Sequence, residues 1–318
     1  MEQKDVNGVF ARSVAEFTSD DIPEREKKKE SVIDVVFDKM RYIVLAVCSV
    51  VLVASVCYII RSLIHYGKAD DIYDAAKDII MEGVGDGTPE MLPSGAVKPS
   101  PDFEKCQLLS ADELNNITKP SGTNAEFARM KIKLTNLKKQ YPELYGWIIL
   151  PNTNINYPIM QHSDNDYYLN HSYTGLKLAA GAIFADYHCY PKLLNNYNLV
   201  LYGHHMLSNS MFHPLDKYLS KSFFEKNNKV YIYTLDGIYV YKVFSVYNTD
   251  KYYPYIQTQF LSMDSLNSFY QRIRKNSIYP TEDRVLTESD RILTLSTCSN
   301  RTEDGRLAVH AILEEVIK

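Results

Sequence analysis

The chain has 318 residues with 35 Lys and Arg against 39 Asp and Glu, and its formal charge of −4, without a long basic stripe, argues against a nucleic-acid binder. A hydrophobic content of 45% is enough for a globular core, and 25 tyrosines against one tryptophan suggest many half-buried strands. The five cysteines, Cys48, Cys57, Cys106, Cys189 and Cys298, are odd in number and scattered, which excludes an evident disulfide framework or CxxC metal site.

Residues 1–41 read as a charged cytoplasmic tail. Tyr42 to Ile60 is an uncharged run rich in Val, Leu, Ile and Ala, bracketed by Arg41 and Arg61. At helical rise it spans about 28 Å, close to the hydrocarbon thickness of a bilayer. Lys27, Lys28, Lys29, Lys39 and Arg41 precede it, against Arg61 and Lys68 after it. The positive-inside rule therefore predicts a single-pass signal anchor at 42–60, with the N-terminus cytoplasmic and the rest extracellular. Cys48 and Cys57 fall inside this run and are expected only to pack there.

Residues 61–124 read as a juxtamembrane segment, helical over 62–82, followed by a Gly- and Pro-containing spacer from Gly83 to Gly122. The folded domain is expected over 125–318. It opens with a helix at 125–140, where Phe127, Met130, Ile132 and Leu134 recur among Lys and Arg. Val230–Leu235 and Ile238–Val246 predict a hairpin turning at Asp236-Gly237. Leu261–Ile278 predicts a helix inserted among strands, and Arg291–Thr297 and Leu307–Val316 predict the closing pair. The fold class is mostly β with a few helices, consistent with a closed barrel.

Cys298 ends the run Thr294-Leu295-Ser296-Thr297-Cys298, and alternation gives it the more polar face with Thr294 and Ser296, as if beside a groove. Arg306 opens the next strand, so pairing across the loop 299–305 would set a thiol opposite a guanidinium. A cation there favours a thiolate and can donate to a developing oxyanion. His204 follows Tyr202-Gly203 at the end of an apolar strand, where an imidazole could protonate a leaving amine. A metal set of His204, His205 and His213 lacks a recognisable ligand spacing, so neither metal nor cofactor is expected.

Together, Thr294–Cys298, Tyr202-Gly203-His204 and Gly305-Arg306 resemble the three signature segments of the sortases, in the right order. Asp164–Leu169, Gly181–Asp186 and the helix at 261–278 resemble class B in particular, and the resemblance covers about residues 125–318. It implies a sortase β-barrel with N-terminal helices outside a Gram-positive cell. It also implies a transpeptidase in which Cys298 attacks a threonine carbonyl of a C-terminal sorting signal, His204 protonates the departing amine and Arg306 stabilises the oxyanion or positions the substrate. The implied partners are surface proteins bearing that signal and an amine of the peptidoglycan cross-bridge. By position in the motifs, Asn165, Leu169, Tyr202 and Ser296 resemble substrate-groove residues. One departure is Ser299, where many class B members carry an acid. A pilin-polymerising sortase, a wall-associated cysteine hydrolase and a non-catalytic membrane-tethered adhesin are the alternatives at this stage.

Overall fold

The computed structural model describes residues 32–81, 123–298 and 304–318. The expected spacer and Ser299 lie outside them. The chain divides into two units, residues 1–60 and 61–318, and helix α1 (Val32–Met81) contributes to both. In the first unit the described side chains of the apolar run are exposed, and by length and composition this helix is a candidate membrane span.

The second unit is a closed barrel of eight strands, β1 (Leu144–Ile149), β2 (Asn156–Met160), β3 (Ile183–Ala185), β4 (Asn198–Tyr202), β5 (Lys229–Tyr233), β6 (Ile238–Asp250), β7 (Ile292–Cys298) and β8 (Gly305–Ile317). Round the barrel the order is β1-β2-β3-β4-β7-β8-β6-β5, with β5 closing on β1. The β2/β3 and β4/β7 pairs are parallel and the other neighbours antiparallel. Closure leaves no open sheet edge. A hairpin joins β5 to β6 as expected, but it turns one residue earlier: Tyr233 pairs with Ile238 and the Thr234 amide donates to the Gly237 carbonyl at 3.0 Å, so Leu235-Asp236 is the tip and Leu235 lies outside the strand.

Alternation along β7 and β8 sends Leu293, Leu295, Leu307, Val309 and Ala311 into the main core with Trp147, Ile159 and Leu201. Ile292, Ala308 and Ile312 face a second cluster under helix α3 (Met263–Lys275), which contributes Leu266, Phe269, Tyr270 and Ile273 at helical spacing. Ser262 and Ser265 form a capping box that fixes where α3 begins. This second cluster corrects one expectation. Thr294 and Ser296 do not line an open groove but are 0% and 4% exposed beneath α3. Their hydroxyls are satisfied internally, Thr294 with Asn198 and His310, and Ser296 with Tyr255 at 2.8 Å.

Helices also pack on the barrel from the N-terminal side. Helix α2 (Asn124–Gln140), capped by Thr123, buries Phe127, Met130, Leu134 and Leu137, while Ile132 stays exposed. Ala69, Tyr73, Ala76 and Ile80 of α1, spaced by four, three and four, join the same core, so the packed unit begins well before residue 125. The Tyr73 hydroxyl donates to the carbonyl of Gly181, and its ring meets Tyr157 edge-on at 5.3 Å.

Candidate active site

Three strand ends converge. Strand β4 runs parallel to β7 with Tyr202 in register with Ser296, and the Gly203 amide donates to the Ser296 carbonyl at 3.2 Å. The residue after Gly203 is His204, so the imidazole leaves β4 at the end where β7 finishes. Across β7/β8, Cys298 pairs directly with Arg306, as predicted. Opposite residues in an antiparallel pair have Cα atoms about 4.5–5.5 Å apart, so both stand at one rim of the barrel. Arg306 also pairs with Thr249 of β6. Its half-buried guanidinium donates to the Gly305 carbonyl at 2.9 Å.

Gly203 is required by packing, since a Cβ there would lie 2.4 Å from Ile183 Cδ1 and 2.8 Å from the Phe212 ring. The same close fit sets where His204 starts. His204 Nε2 is 2.6 Å from the carbonyl oxygen of Leu169, and because a carbonyl only accepts, Nε2 carries the proton. The segment holding Leu169 is shaped by Asp164, whose carboxylate accepts from the amides of Asp166 and Tyr167 at 2.8 Å. Those two backbone bonds hold the Asp164 carboxyl below its usual range.

Asp186 organises the floor of this region, and the sequence alone did not single it out. It is 4% exposed, and each carboxylate oxygen takes two donors. Oδ2 accepts from the Tyr202 hydroxyl at 2.7 Å and the Asn165 amide at 2.9 Å; Oδ1 accepts from the His188 backbone and ring, each at 2.9 Å. Burial alone would raise its pKa, but these donors outweigh burial and hold it below the ordinary carboxylate range. Burial and the adjacent Asp186 charge push the Tyr202 phenol far up, so Tyr202 remains a donor.

Among the four groove candidates, Leu169 is 40% exposed. Asn165 and Tyr202 are half-buried and committed to Asp186. Ser296 lies behind the wall, bonded to Tyr255. Cys189 is buried, and that burial pushes its thiol up to about 12, which leaves it a poor nucleophile. The only signal that could have found Asp186 is a carboxylate directly after the apolar Ile183-Phe184-Ala185.

The backbone register thus brings Cys298, Arg306 and His204 to one rim of the barrel. Residues 148–314 match the sortase domain family profile. Sortase B of Listeria monocytogenes is 35% identical over 209 residues, covering 65% of this chain and 84% of that relative. The solved structure of a Bacillus anthracis protein similar to sortase B has a TM-score of 0.58 at 34% identity, covering 78% of this chain and 96% of that one. The Staphylococcus aureus sortase B–substrate complex has a TM-score of 0.54 at 34% identity, covering 58% and 86%. With fold, motif order and relatives agreeing, the chain belongs to the sortase family, as a class B cysteine transpeptidase.

Proposed function

We propose that the chain cleaves a C-terminal sorting signal after threonine and joins the freed carboxyl end to an amine of the peptidoglycan cross-bridge. Cys298 adds to the threonine carbonyl, the C–N bond breaks, and a thioacyl-enzyme forms. His204 gives a proton to the departing amine and later accepts one from the incoming amine. Arg306 holds the oxyanion, a role suited to a forked donor on a strand whose backbone is paired on both sides. The observation that carries this reading is the direct register of Cys298 with Arg306, beside the strand that delivers His204. The substrate complex solved for the Staphylococcus aureus relative supports a substrate site on this fold, which we read as a groove. Asn165, Leu169 and Tyr202 would border that groove. Ser296 would support its wall from behind.

Sortases are membrane-associated, and the exposed apolar helix in the first unit is the candidate anchor. The flanking cations support a cytoplasmic N-terminus and an extracellular barrel.

Product analysis tests the reaction class. A sorting-signal peptide incubated with the full chain and an oligoglycine amine should give a product containing that amine, whereas a hydrolase would release only the free acid. A free acid as sole product at saturating amine would overturn transpeptidation.

A further inference from the structure

Immediately beyond His204 the chain makes a tight return. His205 bridges to Met211, and Asn209 and Met211 take positive φ values of 61° and 54°. A 3₁₀ segment, His213–Leu219, follows at once. Residues three apart eclipse in a 3₁₀ helix, so His213 and Asp216 share one edge, and the bridge brings His205 against it. The result is the only cluster of three metal-ligating side chains among the described residues. One ligand atom from each of His205, His213 and Asp216 lies within 4.8 Å of the others.

The three side chains are in close contact. The two imidazoles stack at 4.1 Å, and His205 Nε2 is 2.9 Å from Asp216 Oδ2. The His205 side chain is only 3% exposed, while Asp216 is 45% exposed and faces solvent. His213 Nδ1 donates to the Met206 carbonyl at 2.5 Å, which fixes the tautomer and leaves Nε2 with its lone pair as the ligand atom. A backbone carbonyl orienting the far nitrogen is the usual outer support of a metal-binding histidine. One divalent ion would satisfy all three.

We propose that His205, His213 and Asp216 form a binding site for a divalent transition metal of the zinc type. Two imidazoles and a carboxylate suit zinc and disfavour calcium or magnesium, which prefer all-oxygen shells. Zinc bonds of about 2.0–2.1 Å place tetrahedral ligands about 3.4 Å apart; the three donor atoms lie within 4.8 Å of one another, and binding would require the stacked rings to turn apart as well as the exposed Asp216 side chain to rotate. The fourth position faces water. Since His205 directly follows His204, an ion here staples the loop carrying His204 to the 3₁₀ segment, without entering the groove.

The test uses the full chain in detergent, stripped with a chelator and carrying Cys298→Ala, with Co²⁺ as a spectroscopic stand-in for Zn²⁺. The expected result is one equivalent of Co²⁺ in a low-coordinate nitrogen–oxygen spectrum, lacking a sulfur-to-metal charge-transfer band and displaced by Zn²⁺. His213→Ala and Asp216→Asn should each weaken binding more than about a hundredfold, since loss of even an outer partner costs about ten- to a hundredfold. Circular dichroism reports folding. If His213→Ala fails to fold, the exposed and nearly isosteric Asp216→Asn decides. No binding at stoichiometric concentration, a sulfur-ligated spectrum, or binding indifferent to Asp216→Asn would overturn the site.

Discussion

His204 Nε2 donates to the backbone carbonyl of Leu169 across 2.6 Å, tying the imidazole to a segment thirty-five residues earlier in the chain. That carbonyl is itself held in place. Gly181 approaches so closely that a Cβ would lie 2.7 Å from the Leu169 oxygen and 2.4 Å from the Tyr168 oxygen, and its φ of +58° already favours glycine. Gly181 in turn accepts a hydrogen bond from Tyr73 of α1. The position of His204 thus depends on a backbone stack that only glycine permits.

Gly181→Ala should therefore displace the Leu169 carbonyl and misorient His204. A 1 Å error in a reacting group can cost about a hundredfold in rate. Steady-state cleavage of a sorting-signal peptide should show this loss mainly in kcat. Equal kcat in Gly181→Ala and the parent would show that His204 is oriented by something else.

Asp186→Asn should destabilise the barrel at neutral pH. Every orientation of the new amide turns an N–H toward donors that now serve a carboxylate oxygen. Hydrogen bonds to a charged group are worth about 1.5–3 kcal/mol each, and a net loss of about 3 kcal/mol is expected. The folded carboxyl lies below its ordinary value, so its contribution is complete above the unfolded value of about 3.9 and is lost as pH falls through the folded one. Urea midpoints of parent and variant should converge below that window. A constant gap down to pH 2 would contradict it.

His310 predicts a second acid limb. It is fully buried, bonded to Thr294 at 2.9 Å and to the Tyr247 hydroxyl at 3.0 Å, and burial pushes its pKa down to about 3. An unfolded histidine takes up a proton near pH 6.5 while the folded one does not. Stability should then decline from about pH 6.5 toward pH 3. His310→Gln should start less stable but lose less across that interval. Parallel stability curves for the two proteins would exclude His310 as the source.

Arg306 separates charge from geometry. Lysine keeps the positive charge but lacks the planar fork. If Arg306 orients an oxyanion, Arg306→Lys should lose about 3 kcal/mol of transition-state stabilisation, a hundredfold or more in acylation, nearly as much as Arg306→Ala. Near-parent acylation by Arg306→Lys would reduce its role to charge.

Much of this architecture was legible in local pattern. The hairpin between β5 and β6 and the helix Met263–Lys275 follow from period and turn chemistry, though the hairpin tip is Leu235-Asp236, one residue before the expected Asp236-Gly237, and Cys298 opposite Arg306 follows from alternation across one loop. What stayed hidden rests on long-range partners. Thr294 and Ser296 read as a solvent face because their partners Asn198 and Tyr255 lie 96 and 41 residues away, under a helix whose docking site no local period encodes. Asp186 was equally opaque, since its donors come from three separate segments. The packing of Ala69 to Ile80 on the barrel was missed because a helix continuing from an apolar span gives no composition break.

Transpeptidation by this chain rests on acylation of Cys298. Intact-mass and peptide-mapping mass spectrometry of the full chain, quenched with acid during turnover of a sorting-signal peptide without added amine, measures this directly. The expected result is one adduct, equal in mass to the peptide through its threonine acyl group, on Cys298 and on no other cysteine. No adduct and no cleavage are expected for Cys298→Ala. Turnover by Cys298→Ala, or an adduct mapped to Cys189, would contradict this role for Cys298.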